Sequence, residues 1–356
     1  MSFLRNAWYV ANWSAQVTRE LQSRTILCEP VVLYRTESGE AVALADRCPH
    51  RFVPLSRGKL KGDIIECTYH GLCFNQQGVC TFNPHGNGVI PKAARVKSYP
   101  IHERDGIVWI WMGEQSLADT TSIPDFPQFG DPVAYTAVYG YLHVSANYQL
   151  ISDNLLDLTH GQYIHPMFVN ANGKPQDMLA SPAEERTVWA KYRRLNSYPN
   201  QYFQMHGFPG EALADTHNEM RWNPPGSLLL DVGITKAGAP RGDGFSIPTA
   251  HLLTPETETT THYFWSMARD FRRDDTELSK RLLQTGTDIF TNEDKPAIEA
   301  QQRSMKTETD LFAMNPVLLS TDGPSVRARR MLSELVHLEG RESQPNARTP
   351  EVQTGS

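Results

Sequence analysis

Long apolar runs are missing from this 356-residue chain. No stretch approaches the ~20 consecutive apolar residues that carry a helix across a bilayer, so a membrane-spanning role is not expected. The N-terminus, "MSFLRNAWYV", has one early arginine but no extended apolar core and no small-residue cleavage site. It does not read as a secretory signal, and the expected compartment is the cytoplasm. Basic charge is scarce as well. A net charge of −6 argues against nucleic acid as the main partner. No internal repeat is present. Cysteine is scarce and confined: Cys28, Cys48, Cys67, Cys73 and Cys80 all fall in the first quarter of the chain. Five is an odd number, and the chain is large and cytosolic in character, so a disulfide framework is not expected. A local metal site or buried thiols are the remaining readings.

The length allows two domains and a large core. Charge is unevenly shared: the first 115 residues carry a small basic excess and the remainder is acidic, consistent with two regions. The first third reads as β. "TILCEPVVLYRT", "EAVALADRC", "DIIECTYH" and "GIVWIWMG" are strand candidates punctuated by Gly and Pro turns, the pattern of a small sandwich or barrel. A loop-rich boundary follows near 115–132. A strand, "AYTAVYGYLHVSAN", then runs into a helix, "MFVNANGKPQD" reads as a loop, and strand-like runs alternate with turns from about 184 to 268. Residues 275–310 carry Leu278, Leu282, Leu283 and Ile289 at helical spacing, and another helix is expected around 324–338. The expected division is 1–115, 116–340 and a polar, disordered tail over 341–356.

Two short motifs carry chemistry. "CPH" ends at His50 and "CTYH" at His70, giving C-x-H, sixteen residues, then C-x-x-H. Two thiolates and two imidazoles also satisfy zinc, but zinc motifs usually pair Cys with Cys and His with His. Here each loop offers one of each. That mixed arrangement suits a cluster with Cys48 and Cys67 on one iron and His50 and His70 on the other, as in a Rieske [2Fe–2S] centre. Structural zinc is the rival reading. Cys28, Cys73 and Cys80 are expected to be buried thiols. The second motif is "DNLLDLTHGQYIH", residues 153–165. Helical spacing puts Asn154, Asp157 and His160 on one stripe. A spacing of five takes His165 off that face, so the backbone must bend, and Gly161 is the expected place. Alone, an Asp and a His three apart are most often a local polar pair.

Taken together, the motifs resemble the oxygenase component of the Rieske non-haem iron oxygenases. "RNAWYV", "CPHR", "YHGL", "DNLLDLTH" and "LTPETE" are similar to the group of vanillate O-demethylase, dicamba O-demethylase and toluenesulfonate methyl-monooxygenase, from the N-terminus to about residue 338. The resemblance implies an α+β fold: an all-β Rieske domain, then a catalytic domain with an antiparallel sheet covered by helices, helix-grip-like. It implies two cofactors, a [2Fe–2S] cluster and Fe(II). His160 and His165 match the family's iron ligands; two imidazoles and a carboxylate on one side of Fe(II) leave positions for O2. The carboxylate must come from downstream, where Asp288, Glu293, Asp294 and Glu299 are candidates. "TNEDKPAIEAQQ" resembles the family's ligand-bearing helix and points to Asp294.

Asn154 and Asp157 belong to the same catalytic motif. The resemblance implies that Asp157 joins His160 to His70 of a neighbouring chain in a homotrimer. His251 matches a position that contacts the substrate acid group, whereas Leu230 and Thr285 depart from the polar and aromatic contacts of the dicamba enzyme. The implied reaction is hydroxylation of a methoxy or methyl group of an aromatic acid, with O2 and electrons from a flavin and iron–sulfur reductase, or a ferredoxin plus reductase. Ring hydroxylation or N-demethylation is the alternative, and a non-catalytic Rieske electron carrier the remote one. Arg47, Arg51, Arg57, Lys59 and Lys61 flank the first ligand loop and are expected to face the reductase.

Overall fold

The β-rich first third divides where the chain has to turn. In the computed structural model, which describes residues 3–169, 176–180, 184 and 186–342, it forms β1 (Trp8–Trp13), β2 (Gln22–Ile26), β3 (Glu29–Arg35), β4 (Ala41–Ala45), β5 (Lys59–Lys61), β6 (Ile64–Glu66), β7 (Cys73–Phe74), β8 (Cys80–Phe82), β9 (Ser98–Tyr99), β10 (Ile101–Arg104) and β11 (Ile107–Trp111). These pair as β1-β11-β10, β2-β3-β4-β9 and β5-β6-β7-β8. "TILCEPVVLYRT" is not one strand but a hairpin. Leu27 (φ 50°) and Cys28 (φ 65°) take the left-handed conformation of a tight two-residue turn. Cys28 is therefore exposed, against the expectation of a buried thiol, whereas Cys73 and Cys80 are buried.

The rest of the chain comprises α1 (Pro127–Gly130), β12 (Thr136–Val144), α2 (Tyr148–Leu156), α3 (Gly161–Ile164), β13 (Asp177–Leu179), β14 (Val188–Ser197), α4 (Gln201–Met205), β15 (Ala214–Asn223), β16 (Ser227–Lys236), β17 (Phe245–Thr257), β18 (Thr260–Arg269), α5 (Thr276–Thr287), α6 (Lys295–Met305) and α7 (Gly323–Glu342). Among the described residues, seven strands form one antiparallel sheet in the order β12-β18-β17-β16-β15-β14-β13. Period-two alternation gives this sheet two different faces. Ala250, Leu252, Phe264 and Ala268 pack against Trp8, Val10, Trp13 and Trp109 of the first region. The opposite face carries Arg194, Asn218, Leu230, Thr249, His251 and Met267 toward a cavity roofed by α2 and the segment after α5.

The boundary segment at 115–132 is not a free loop. Its Ile123, Phe126 and Phe129 are buried in the same apolar layer. Each large side chain so buried contributes roughly 1.5–3 kcal/mol. That outweighs the exposed Arg104–Asp125 ion pair at the rim, worth at most ~1 kcal/mol. Backbone pairing closes the seam: Val10 N–H donates to Thr254 Oγ1 (3.1 Å), whose hydroxyl donates to the Val10 carbonyl (2.8 Å). Leu27 and Cys28 amides donate to the carbonyls of Pro255 and Glu256. The loop expected over 167–177 and the tail from 343 lie largely outside the described residues, and α7 extends through Glu342.

Candidate active site

The first candidate ligand set sits on two loops built alike. The Cys48 carbonyl accepts from the Phe52 amide, and the Cys48 amide donates to Val53. At the same offsets, the Cys67 carbonyl accepts from Gly71, and the Cys67 amide donates to Leu72. The fourth residue after each cysteine has positive φ: Phe52 at 63° and Gly71 at 69°. Glycine adopts this freely and phenylalanine does not; Phe52 is held beneath the Arg47 guanidinium, 4.0 Å from its ring centroid. The loops place Cys48 and Cys67 in the interior, each 2% exposed, while His50 is exposed and His70 half-buried, with ring centroids 4.4 Å apart. Burial pushes the Cys48 thiol up to about 11 despite the amide hydrogen bonds it receives.

No three of these four residues bring ligand atoms within 4.8 Å of one another, which is wider than one tetrahedral ion and suits a cluster of two irons. His85, not singled out from the sequence, bonds the His70 carbonyl through Nε2 (2.8 Å). Arg47, Arg51, Arg57, Lys59 and Lys61 are exposed around these loops, and Lys61 is paired with Glu66.

The second set is assembled by breaks in helices. α2 ends at Leu156, and the bend falls at Asp157 (φ −113°, ψ 89°) rather than at Gly161, which is ordinarily helical (φ −57°, ψ −24°). The physical reason is capping. The Asp157 carboxylate accepts from the Thr159 amide (3.0 Å) and hydroxyl (2.7 Å), starting a new turn. A second break at His165 precedes Pro166, which disfavours helix in the residue before it. Downstream, the chain between α5 and α6 is a π-helix over Asp288–Asp294, a widening of the kind found at functional sites. It turns two consecutive acids, Glu293 and Asp294, onto the same histidine.

His160, His165 and Asp294 thereby present ligand atoms within 4.8 Å of one another. Each imidazole Nε2 lies 3.4 Å from Asp294 Oδ1. Each Nδ1 is occupied elsewhere: His160 Nδ1 donates to the Asp157 carbonyl (2.5 Å), and His165 Nδ1 to Glu293 Oε2 (2.7 Å). Holding Nδ1–H on an acceptor leaves the Nε2 lone pair for a metal. Burial works to raise the Asp294 carboxyl, but His160 and His165 outweigh it and hold it at about 2. Burial likewise works to lower His165, and Asp294 and Glu293 overcome it and raise it.

Asn154 Nδ2 donates to Asp294 Oδ1 (3.3 Å). The other acids considered point elsewhere: Asp288 accepts from Gln284 and Asn292, and Glu299 accepts from the Ser145 amide. Asp157 meets His160 through its backbone carbonyl; its carboxylate also takes a bond from Thr321 Oγ1 (3.1 Å).

This trio forms one wall of a largely apolar cavity, with Leu155, Leu158, Phe203, Leu230, Ile289 and Phe290 among its lining. His251 faces it from β17. Tyr263 hydroxyl and His251 Nδ1 are 2.6 Å apart, and Nε2 is buried without a partner. Burial drives this imidazole down to about 3, with Asp294 offsetting only part. Burial thus favours the neutral ring at His251. Thr285 turns its hydroxyl toward Met205 Sδ (3.8 Å). Sequence reasoning missed Glu293's bond to His165, and Arg194, Thr216 and Asn218 in the cavity wall. The signal for Arg194 was present: in "VWAKYRRLNS" it falls in phase with the buried Val188, Ala190 and Tyr192.

Two family profiles match the chain: the Rieske [2Fe–2S] domain over residues 7–100 and the vanillate O-demethylase oxygenase C-terminal domain over residues 144–338. Dicamba O-demethylase, oxygenase component, from Stenotrophomonas maltophilia is 37% identical over 95% of this chain and 99% of its own length. Chloroacetanilide N-alkylformylase, oxygenase component, from Rhizorhabdus wittichii is 37% identical over 95% of this chain and 97% of its own. A crystal structure of dicamba monooxygenase with non-heme iron and dicamba superposes with a TM-score of 0.81 at 35% identity, covering 96% of this chain and 100% of that one. The chain belongs to the Rieske non-haem iron oxygenases of the vanillate O-demethylase family.

Proposed function

We propose that this protein is the oxygenase component of a Rieske monooxygenase that hydroxylates a methoxy or methyl group of an aromatic acid. The observation that carries this reading is the pair of Nε2 atoms converging on Asp294 at the wall of a mostly apolar cavity. His160, His165 and Asp294 would hold Fe(II), and Cys48, His50, Cys67 and His70 the [2Fe–2S] cluster. When bound, the two groups supply electrons and the activation of O2. The chain does the rest. Leu155, Leu158, Leu230 and Phe290 exclude water and grip a ring. His251 offers a neutral polar contact, and Asp157 and Glu293 fix the two ligand imidazoles. One oxygen atom enters the C–H bond; the other leaves as water with two electrons and two protons. A hydroxylated methoxy carbon is a hemiacetal, which breaks its C–O bond to give a phenol and formaldehyde.

The electrons come from a separate reductase, or from a ferredoxin and its reductase. The proposed assembly is a cytoplasmic homotrimer joined head to tail. Phe52 and Tyr69, each 60% exposed, stand beside His50 and His70; Tyr163 at 89% and Val317 at 88% stand near His160. Asp157 and His160 also line an open groove with Val317 and Leu318. Two different exposed apolar patches on one chain suit a head-to-tail contact, and the groove would let His70 of a neighbouring chain approach Asp157. No helix among the described residues is long and apolar enough to cross a membrane.

N-dealkylation is the second reading, supported by the similarity to a chloroacetanilide N-alkylformylase component. The test is product analysis with iron-loaded protein, dithionite-reduced cluster and O2, on methoxybenzoates, methylated aromatic acids and N-methylanilines. Formaldehyde with the matching phenol is expected. Formaldehyde from the anilines alone selects the second reading, and ring hydroxylation without formaldehyde overturns the first.

A further inference from the structure

Arg194 is the only arginine or lysine among the described residues lining the cavity. It is 3% exposed, and its Nε and Nη2 have no hydrogen-bond partner. An unpaired buried cation is among the costliest features a fold can carry. A structural arginine escapes that cost by pairing, as Arg329 does here with Asp153. Among the described residues Arg194 has no such carboxylate, and burial acts on its guanidinium. The two free atoms matter together. Nε–H and Nη2–H lie parallel on one edge of the guanidinium plane and match the two oxygens of a carboxylate or a sulfonate. Polar residues neighbour Arg194 on the sheet. Thr216 is directly opposite Arg194 in the β14–β15 ladder, Gln176 adjoins the Asp177–Arg193 pair on the other side, and both line the cavity.

Resting on the oxygenase reading above, we infer that Arg194 anchors the anionic group of the substrate, a carboxylate or sulfonate, at the end of the cavity remote from His251. The sheet register sets that distance. His251 pairs with Leu228, Leu228 with Trp222 and Trp222 with Val188. Arg194 lies farther along β14 from Val188 by roughly 20 Å of strand, with three strand spacings between β14 and β17. One acid group cannot be held by both side chains. Arg194 takes the charge, and neutral His251 takes an uncharged oxygen or nitrogen of the same molecule. Two separated handles select an elongated aromatic anion over a compact one, and fix which end of it faces His160 and His165.

The test is isothermal titration of the iron-loaded, cluster-containing protein with 4-methoxybenzoate, 4-methoxycinnamate and toluene-4-sulfonate, each beside its neutral amide. Arg194→Gln is expected to weaken the tightest acid by at least ~30-fold and to leave the amides within ~3-fold. His251→Gln is expected to weaken acid and amide alike. Arg194→Met is expected to raise the Tm of the ligand-free protein, because it removes an unpaired buried charge; a structural role would lower it. Acid affinity unchanged in Arg194→Gln, equal losses for acid and amide, a lowered Tm in Arg194→Met, or no acid binding to the wild type would each overturn the assignment. Acids that bind through Arg194 without yielding any oxygenated product would leave this site standing and remove the oxygenase reading. Turnover confined to neutral aromatics would keep an oxygenase and remove both this site and an acid as its substrate.

Discussion

The two candidate ligand sets are built from similar side chains and are treated in opposite ways by the fold. In the first, the cysteines are buried and the histidines face outward, from two loops separated by sixteen residues and carrying the same hydrogen bonds. In the second, the Nε2 atoms of both histidines face inward to a carboxylate that arrives from far downstream through a π-helix. A site that exchanges electrons with another protein must expose part of its ligand shell. A site that meets O2 and an apolar ring must keep water out. The same imidazole therefore serves two tasks, and its direction relative to the core decides which.

The largest effect should come from breaking the inward site alone. Asp294→Ala is expected to lower product formation on the order of 10³-fold or more, with the visible spectrum of the cluster intact. Activity within a few-fold of wild type would mean that the carboxylate has been misassigned. Glu293→Gln sharpens the comparison, because among the described residues the outward site shows no equivalent carboxylate behind its histidines. It should weaken iron binding by ~10–100-fold, read by chelator competition, without changing sulfide content.

Next in size is a pH effect in the catalytic half. His206 is buried, bonded through Nδ1 to the Tyr202 carbonyl (2.7 Å), with Nε2 unpartnered. Burial drives it down to about 4. Its folded value lies below the unfolded one, so the unfolded chain binds the extra proton between about pH 6.5 and 4. Stability is then fully present above that window and falls by up to about 3 kcal/mol as pH drops through it. His206→Phe should flatten this slope in chemical denaturation series; an unchanged slope would show that another group sets it. The smallest effect concerns the outward site's surroundings. Arg51→Glu with Lys59→Glu should slow reduction by the reductase ~10-fold at low salt and remove its salt dependence. An unchanged rate and salt dependence would remove these residues from the docking surface.

The same contrast explains what was legible in the sequence. Cys48, His50, Cys67 and His70 could be grouped because each loop carries its own pair of candidate ligands, and local spacing survives folding. The strands around them were readable from alternation, although the turn at Leu27 and Cys28 was hidden inside an apolar run. His160 and His165 could be grouped, but the bend was placed at the wrong residue. Glycine drew attention, while the capping carboxylate of Asp157 determined the break. Asp294 depended on family resemblance, because nothing in periodicity announces a π-turn. Arg194 was overlooked although its strand phase pointed inward. Burial on a sheet face is a tertiary property, and a charged residue in phase with a core stripe is easily taken for a solvated one.

The most direct test of the two-site account is iron and acid-labile sulfide analysis of the purified chain and of a His160→Ala, His165→Ala variant. Three irons and two sulfides per wild-type chain are expected, falling to two irons with both sulfides retained in the variant. Loss of cluster iron and sulfide together with the mononuclear iron, or zinc in place of iron in the Cys48–His70 loops, would contradict it.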